Sequence, residues 1–215
     1  MNSLDPPRQA LATALAALAG YVDAVGFLSA DRYFVSFMSG NTTRLATDLI
    51  AEGPHRALVP ALLILGFVLG VAMGNIVAHK AGRWRKPAVL SLVTALLALA
   101  ALLALSEYLE AMMAMLVFAM GALNNTMQRN ETPVALTYLT GALVRIGQGL
   151  GGMLTGRGAN GIAGFLALWL ALAGGAALGA TMFLRVGAAC LPFAVLAAGL
   201  LSVAGWRIAR VSRES

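Results

Sequence analysis

The chain has 215 residues, of which 60% are hydrophobic and only 11% are charged, and it contains 24 glycines. A soluble domain carries about 25% charged residues, so a water-exposed surface on this chain would lack charge, and the apolar content excludes disorder. The composition therefore predicts an all-α polytopic membrane protein whose partner is the lipid bilayer. The net charge of +6 comes from basic residues clustered between apolar runs, as in cytoplasmic loops, so we expect no nucleic-acid partner.

Six apolar stretches are long enough to cross a membrane, which takes about 20 mostly apolar residues. The first is interpreted as a retained helix rather than a signal peptide, because no small-residue cleavage site ends it. The six predicted spans are residues 10–28, 57–78, 87–109, 111–127, 162–184 and 186–206.

Two further segments, residues 33–50 and 134–151, are too polar to face lipid along their whole length. Nine of 18 residues in the first and eight of 18 in the second are polar or glycine. Each polar group in hydrocarbon needs a protein or water partner. We therefore expect both segments to form re-entrant or half-length helices.

The distribution of basic residues separates six spans from eight. With six spans and both termini inside, 10 basic residues outside the two polar segments are cytoplasmic and 3 are not. With eight spans the same residues divide 6 to 7, and the basic cluster at residues 80–86 falls on the wrong side. Six spans with both termini in the cytoplasm is the prediction.

The chain resembles itself at an offset of 101 residues. The offset aligns residues 36–40 with 137–141, Arg44 with Arg145, and the small residues at every fourth position of 66–78 with those of 167–179. Each half, residues 1–109 and 110–215, then holds three spans and one polar segment. Because three crossings is an odd number, the second half enters the membrane inverted, as in many secondary transporters.

Four short motifs resemble the YoaK-like family of bacterial integral membrane proteins, a domain of unknown function. They are residues 20–26 (GYVDAVG), 34–42 (FVSFMSGNT), 137–141 (TYLTG) and 144–148 (VRIGQ). The resemblance extends over nearly the whole chain. It implies an inner-membrane protein of about this length and supplies neither a substrate nor an activity.

Asp23 lies in the later half of the first span among apolar neighbours, where a carboxylate is a functional candidate by default. It is the candidate for a substrate-binding and proton-coupling group. The alternatives are a structural ion pair with Arg44 or a position at the outer interface that water reaches.

Arg44 and Arg145 each follow a glycine by four residues. If Ser39, Gly40 and Asn41 begin one half-helix and Thr140 and Gly141 begin the other, two helix N-termini and two guanidinium groups converge near the membrane centre. Such an arrangement binds anions. In the alternative interpretation, the arginines cap neighbouring helices or pair with Asp23 and Asp48.

Neutral donors and acceptors complete the predicted binding set, although such side chains also join helices without touching a solute. The Asn124-Asn125 pair aligns with Asp23-Ala24 and keeps hydrogen bonding without charge. The neutral members are Ser39, Asn41, Thr42, Thr43, Asn124, Asn125, Gln128, Thr137, Thr140 and Gln148.

Other features predict packing rather than chemistry. Gly66, Gly70 and Gly74 let helices approach closely, either joining the two halves or forming a homodimer seam. The single cysteine, Cys190, permits no internal disulfide, and the two histidines lack neighbours at ligand spacing, so we expect no metal or cofactor. Nucleophile and phosphate-loop motifs are absent, so we do not expect an enzyme.

The predicted function is therefore a transporter or channel for a small polar solute, anionic or carboxylate-bearing by preference, at a midplane site between inverted halves. The alternative is a non-transporting membrane scaffold or sensor subunit, which predicts a packed interior without a cavity. A membrane enzyme is a third and weaker hypothesis.

Overall fold

The structure is a computed structural model that describes residues 5–129, 132–133, 140–156 and 161–211. Within these ranges the chain forms eight α-helices and one two-residue antiparallel strand pairing, β1 (Gln128–Arg129) with β2 (Thr132–Pro133). The predicted all-helical class is confirmed. The helices are α1 (Pro6–Ser29), α2 (Met38–Ala51), α3 (Pro54–Ala81), α4 (Arg85–Leu105), α5 (Leu109–Leu123), α6 (Thr140–Leu154), α7 (Ile162–Val186) and α8 (Leu191–Val211).

Three helical runs are long and apolar enough to cross a membrane: α1, the 52-residue run of α3 and α4, and the 50-residue run of α7 and α8. A straight helix of 52 residues would be about 78 Å long, whereas the hydrocarbon core is about 30 Å thick. Each long run therefore turns back on itself. The turns follow Gly82 (φ 51°) and Gly187 (φ 60°), since glycine adopts left-handed backbone angles without strain.

Helix α5 is apolar but has only 15 residues, fewer than the 17 predicted for its span. It ends at Leu123, because the backbone N–H groups of Asn124 and Asn125 close tight turns onto Gly121 and Ala122. The two polar segments form the short helices α2 and α6, which begin at Met38 and Thr140, where the sequence predicts helix starts.

Helices α1 and α5 form the centre of the bundle. Helix α1 packs on α7 and α8, and α5 packs on α3 and α4, while α4 and α8 lie against each other. Leu15, Val22, Leu116 and Met120 are fully buried along these two central helices. The short helices lie at the periphery, α2 on α3 and α6 on α7.

Glycines set how closely the paired helices approach. A Cβ at Gly70 or Gly74 would collide with the α5 backbone at Phe118 or Ala122. These glycines are therefore covered within the chain. Gly70 and Gly74 pack the first half of the chain against the second, which was one of the two alternatives for this glycine stripe. They are therefore not available to form a homodimer interface. Gly66, the third glycine of the stripe, faces Val117.

The pairing of α1 with α7 repeats that of α5 with α3. A Cβ at Gly175 would meet the backbone of Ala17, and one at Gly179 would meet that of Tyr21. These contacts correspond to Gly70 with Phe118 and Gly74 with Ala122 at offsets of 101 for α1/α5 and 105 for α3/α7. The sequence alignment used an offset of 101 throughout, so in α7 it differs from the contacts by four residues, or about one helical turn. The sequence could not reveal this difference, because small residues that recur at every fourth position give the same pattern after a shift of four.

The contacts also fix the helix directions. The equal spacing of the glycine contacts shows that α1 runs parallel to α7 and that α3 runs parallel to α5. Helices α4 and α8 are antiparallel. The hydroxyls of Ser91 and Ser202 are 3.1 Å apart, and Leu90 lies beside Gly205. The second contact is therefore earlier in α4 and later in α8 than the first.

These directions separate charge between the two ends of the bundle. Five of the nine acidic residues lie at one end, called here the acidic end, together with four arginines, which leaves a net charge of −1. The acids are Asp31, Asp48, Glu52, Glu107 and Glu110, and the arginines are Arg32, Arg44, Arg56 and Arg185. The opposite end, the basic end, carries the start of α1, the α3–α4 turn and the end of α8. Its described basic residues are Arg8, Lys80, Arg83, Arg85, Lys86, Arg207 and Arg210.

Candidate functional site

Asp23 holds the segment that leads into α2. Its Oδ1 accepts the backbone N–H groups of Val35 and Ser36, each at 2.9 Å. The carboxylate therefore satisfies two donors of a chain that is in neither helix nor strand. The described ion pair of Arg44 is with Asp48 and not with Asp23, so the alternative in which Asp23 pairs with Arg44 is not what the structure has.

Asn41 is fully buried and also binds this segment. Its Oδ1 accepts the N–H of Phe34 at 3.0 Å, and its Nδ2 donates to the carbonyl of Phe34 at 2.7 Å. Gly40, one residue earlier, lies between the rings of Phe34 and Phe37, and a Cβ there would collide with both. The predicted binding residues Asp23, Gly40 and Asn41 thus shape the start of α2.

Arg44 is part of a compact cluster with Asp48 and Tyr33. Its Nε lies 3.4 Å from Asp48 Oδ1, and its guanidinium carbon is 4.5 Å from the centre of the Tyr33 ring. The Tyr33 hydroxyl donates to Asp48 Oδ2 at 3.0 Å. Burial, together with this hydrogen bond, raises the pKa of Tyr33, so the phenol stays protonated and remains a donor.

The same arginine supports a strained turn. Asp31 (φ 40°) and Arg32 (φ 61°) adopt left-handed backbone angles that side chains other than glycine rarely take. Arg44 donates to the carbonyl of Asp31 at 3.3 Å, and Arg56 donates to the carboxylate of Asp31 at 3.2 Å. The two arginines therefore hold the α1–α2 connection in place.

The other predicted residues on α2 point away from the bundle. Ser39, Thr42 and Thr43 are exposed, and the two threonine hydroxyls donate to carbonyls one turn earlier in their own helix. Thr47, which the sequence analysis did not select, does the same from the same face. Their hydroxyls are thus partly engaged by the helix that carries them.

Asn124 and Asn125 are buried at the end of α5. The amide of Asn124 donates to the carbonyl of Met120, and that of Asn125 donates to the carbonyl of Val71 on α3 at 3.0 Å. Thr126 is also fully buried, and its hydroxyl has no hydrogen-bond partner among the described residues. The amide at 125 therefore joins α5 to α3 beside the glycine crossing.

The second-half counterpart differs in charge. Arg145 is exposed on α6, and within the described ranges it forms no ion pair. The position that corresponds to Asp48 is Gly149, so an acid one turn away is missing from the sequence itself. Thr140 and Gln148 are exposed, Gly141 is half-buried, and Thr137 lies outside the described residues.

The predicted binding residues therefore do not form one site but lie in separate parts of the structure. Asp23, Gly40, Asn41 and Arg44 come together at the acidic end around the start of α2. Among the described residues, α2 packs on α3 and α6 packs on α7, and no three metal-binding side chains are grouped. The convergence of Arg44 with Arg145 remains a prediction.

The structure contains a cleft that the sequence analysis missed. It lies between α3 and α5 beneath the α1–α2 turn, has a volume of about 660 Å³, and is called here the α3/α5 cleft. Its walls are mostly apolar, and its mouth carries Asp31, Tyr33, Arg56 and Glu110. The sequence contained one signal for this cleft, because Asp31, Arg56 and Glu110 each lie near the end of a predicted span. These charges come close together only because of the way the helices pair, which the sequence pattern does not specify.

Comparison with known proteins gives two matches. A family model described as "Protein of unknown function (DUF1275)" matches residues 11–204. A UPF0700 transmembrane protein of Rhizobium meliloti (strain 1021) is 41% identical over 203 residues, which are 94% of this chain and 87% of that protein. No solved structure matches the chain. The resemblance to the YoaK-like family is confirmed.

Proposed function

The chain belongs to the DUF1275 family of membrane proteins, and we propose that it is a transporter built from two inverted halves that cross the bacterial inner membrane six times. The observation that carries the proposal is the antiparallel packing of α4 and α8. These helices occupy corresponding places in the two halves, and their opposite directions are what an inverted repeat requires.

The helix directions also favour six crossings over eight. If α2 and α6 both crossed, α4 and α8 would be the fourth and eighth crossings and would run parallel. If only one crossed, α1 and α7 would run antiparallel. Neither agrees with the contacts of Ser91, Ser202 and the glycines. In the six-crossing arrangement the basic end faces the cytoplasm.

Because the α1/α7 and α3/α5 crossings join the two halves of the sequence tightly, alternating access would move the group of α1, α7 and α8 against the group of α3, α4 and α5, with sliding at the α4–α8 contact. A small polar solute would bind between these two helix groups near the midplane. Its anionic preference would depend on Arg145, because Arg44 is already balanced by Asp48. Asp23 would carry a coupling proton only if the α1–α2 segment released it during the cycle.

The α4–α8 contact allows a direct test. In a Cys190→Ala background, Ser91→Cys and Ser202→Cys place two thiols where the hydroxyls are 3.1 Å apart. The change at 190 leaves the Tyr21 hydrogen bond intact, because that bond goes to the backbone carbonyl. Proteoliposomes are screened for uptake of a panel of small metabolites, and a transported solute is then measured with the pair oxidised and reduced.

We expect oxidation to stop uptake and a reductant to restore it, while each single-cysteine variant transports normally in both conditions. Uptake that is unchanged in the oxidised pair would exclude relative movement of the two helix groups at this contact.

A scaffold or sensor subunit is the second candidate. It is favoured by one observation: the side chains of Asp23, Asn41 and Asn125 are all bonded within the chain. It predicts no uptake of any panel member by protein that is correctly inserted, and normal insertion of the oxidised cysteine pair.

A further inference from the structure

The α3/α5 cleft is produced by two helices that touch at one point and diverge from it. At Gly70 and Gly74, α3 meets the α5 backbone with no room for a Cβ. Toward the acidic end the helices separate, and Gly66, Met113 and Val117 form the floor of the space between them. The cleft is therefore closed below by the crossing and open above.

The cleft also opens sideways toward lipid. Of the residues that line it, Leu58, Val59, Leu62 and Leu109 keep 41–55% of their surface exposed, whereas Met113 and Val117 on the floor are buried. Both walls belong to predicted membrane spans. An apolar space that communicates with hydrocarbon accepts an apolar occupant, because a solvated polar molecule would lose its water there.

The depth of the cleft matches one leaflet. From Arg56 at the mouth to Gly66 on the floor, α3 advances ten residues, or about 15 Å at 1.5 Å per residue. The hydrocarbon core is about 30 Å thick, so the floor lies about halfway across. The volume of 660 Å³ falls within the range of about 300–1,000 Å³ that is typical of sites for small molecules.

Charge at the mouth selects the headgroup. Arg56 is bound by two carboxylates, Asp31 at 3.2 Å and Glu52 at 3.0 Å. Glu110 also lines the mouth and has no ion pair within the described part of the chain. The charged residues that line the mouth, Asp31, Arg56 and Glu110, carry a net charge of −1, since neither Glu52 nor Arg32 is among the lining residues.

We propose that the α3/α5 cleft binds one acyl chain of a phospholipid from the leaflet at the acidic end, with an amine-bearing headgroup beside Glu110. The apolar walls and one-leaflet depth accept the chain, and the acidic mouth attracts an ammonium group while disfavouring an anionic headgroup. This lipid site lies within the group of α3, α4 and α5 and is separate from the solute path proposed between that group and the group of α1, α7 and α8.

The first test titrates delipidated protein with phosphatidylethanolamine or phosphatidylglycerol and counts bound lipids by native mass spectrometry. We expect one saturable phosphatidylethanolamine, bound about tenfold more tightly than phosphatidylglycerol, a difference of about 1.4 kcal/mol. Glu110→Gln should remove most of this preference. Equal, non-saturating binding of both lipids would overturn the proposal, since it indicates only the lipid that surrounds any membrane protein.

A matched pair of substitutions tests the location. Ala114 lines the cleft, while Ala111, one turn earlier on α5, is exposed and outside it. Ala114→Phe should fill the cleft and weaken phosphatidylethanolamine binding about tenfold, whereas Ala111→Phe should bind like the wild type. Unchanged binding by a folded Ala114→Phe variant contradicts the assignment.

The wild-type protein provides a test that needs no variant. In bilayers, phosphatidylethanolamine with a photoreactive diazirine near the end of its acyl chain should label Gly66, Met113 or Val117 on the cleft floor. Labelling spread evenly over the exposed faces of α3, α4 and α8, without the floor residues, would overturn the proposal.

Discussion

At the residue scale, three buried or half-buried polar side chains in or beside the spans have backbone partners. Asp23 accepts two N–H groups from the segment before α2, Asn41 pairs with both polar groups of Phe34, and Asn125 donates to Val71. A polar group inside a membrane protein is costly unless it is hydrogen-bonded, and a non-helical backbone segment is costly for the same reason. Asp23 and Asn41 remove both costs at once, whereas Asn125 removes only the cost of its own buried amide.

Replacing Asp23 should destabilise the protein through that segment. Asp23→Ala leaves the N–H groups of Val35 and Ser36 without their acceptor, at a cost of about 1–3 kcal/mol, and Asp23→Asn should cost less because the amide oxygen still accepts. The measurement is thermal unfolding in detergent.

Because Asp23 and Arg44 share no ion pair, Asp23→Asn combined with Arg44→Gln should be at least as unstable as Asp23→Asn alone. Recovery of stability in the double variant would show that the two side chains are coupled.

Arg44 balances the buried carboxylate of Asp48. The side chain of Asp48 is 7% exposed and that of Arg44 is 34% exposed, so the pair lies between a buried and a surface ion pair. Arg44→Gln should lower the free energy of unfolding by about 1–2 kcal/mol, and Arg44→Gln with Asp48→Asn should recover part of the loss. The exposed Arg145→Gln is the matched control, and unfolding curves of the four proteins decide the outcome. A loss as large for Arg145→Gln would contradict the difference between the two halves.

Tyr33 adds a pH dependence to the same cluster. The fold raises the pKa of Tyr33 above its ordinary value of about 10. The protonated phenol is therefore favoured by folding, and its stabilising contribution is present below pH 10 and is lost as the pH rises through the raised pKa. Wild-type protein should lose more stability than Tyr33→Phe between pH 9 and 12 in unfolding experiments. Parallel curves for the two proteins would show that the hydroxyl contributes nothing through ionisation.

At the element scale, close helix crossings depend on particular glycines rather than on glycine content. Gly175 faces the α1 backbone at Ala17, whereas its neighbour Gly174 has nothing within 4 Å of a Cβ. A periodic stripe of small residues indicates an interface, and here the interface is made by one face of α7 only.

The two neighbouring glycines of α7 should respond oppositely to alanine. Gly174→Ala should be neutral or stabilising by up to about 1 kcal/mol, because alanine favours the helix. Gly175→Ala should destabilise by about 1–3 kcal/mol, because the new methyl group forces α1 and α7 apart. Thermal midpoints of the purified variants provide the comparison, and a stable Gly175→Ala would show that the crossing is looser than the structure has it.

At the scale of the whole molecule, the arrangement of helices separates charge along the bundle axis. The basic end and the acidic end follow from the parallel pairs α1/α7 and α3/α5 and the antiparallel pair α4/α8. Basic residues favour the cytoplasmic side of a membrane, so this separation assigns an orientation to the proposed six crossings.

Reporter fusions test that orientation. A reporter after Lys86 or at the C-terminus should be cytoplasmic, because both positions belong to the basic end. One after Glu107, at the acidic end, should be periplasmic. The measurement is the activity of compartment-specific reporters at the three positions. A periplasmic result at Lys86 would exclude the six-crossing topology and, with it, the inverted repeat.

The sequence by itself determined the membrane class, the six long apolar helices to within a few residues, and the starts of α2 and α6, because these depend on local hydrophobicity and on where polar residues interrupt it. The tertiary structure alone decided the partners of those residues. Asp23 binds a backbone segment instead of Arg44, the glycine contacts of α7 match those of α3 at an offset of 105 rather than 101, and α3 diverges from α5 to form a cleft. The physical reason is that packing between helices decides each of these features: the hydrogen-bond partner, the helix register and the cleft. In addition, a pattern of small residues with a four-residue period does not change when one helix slides along another by one turn.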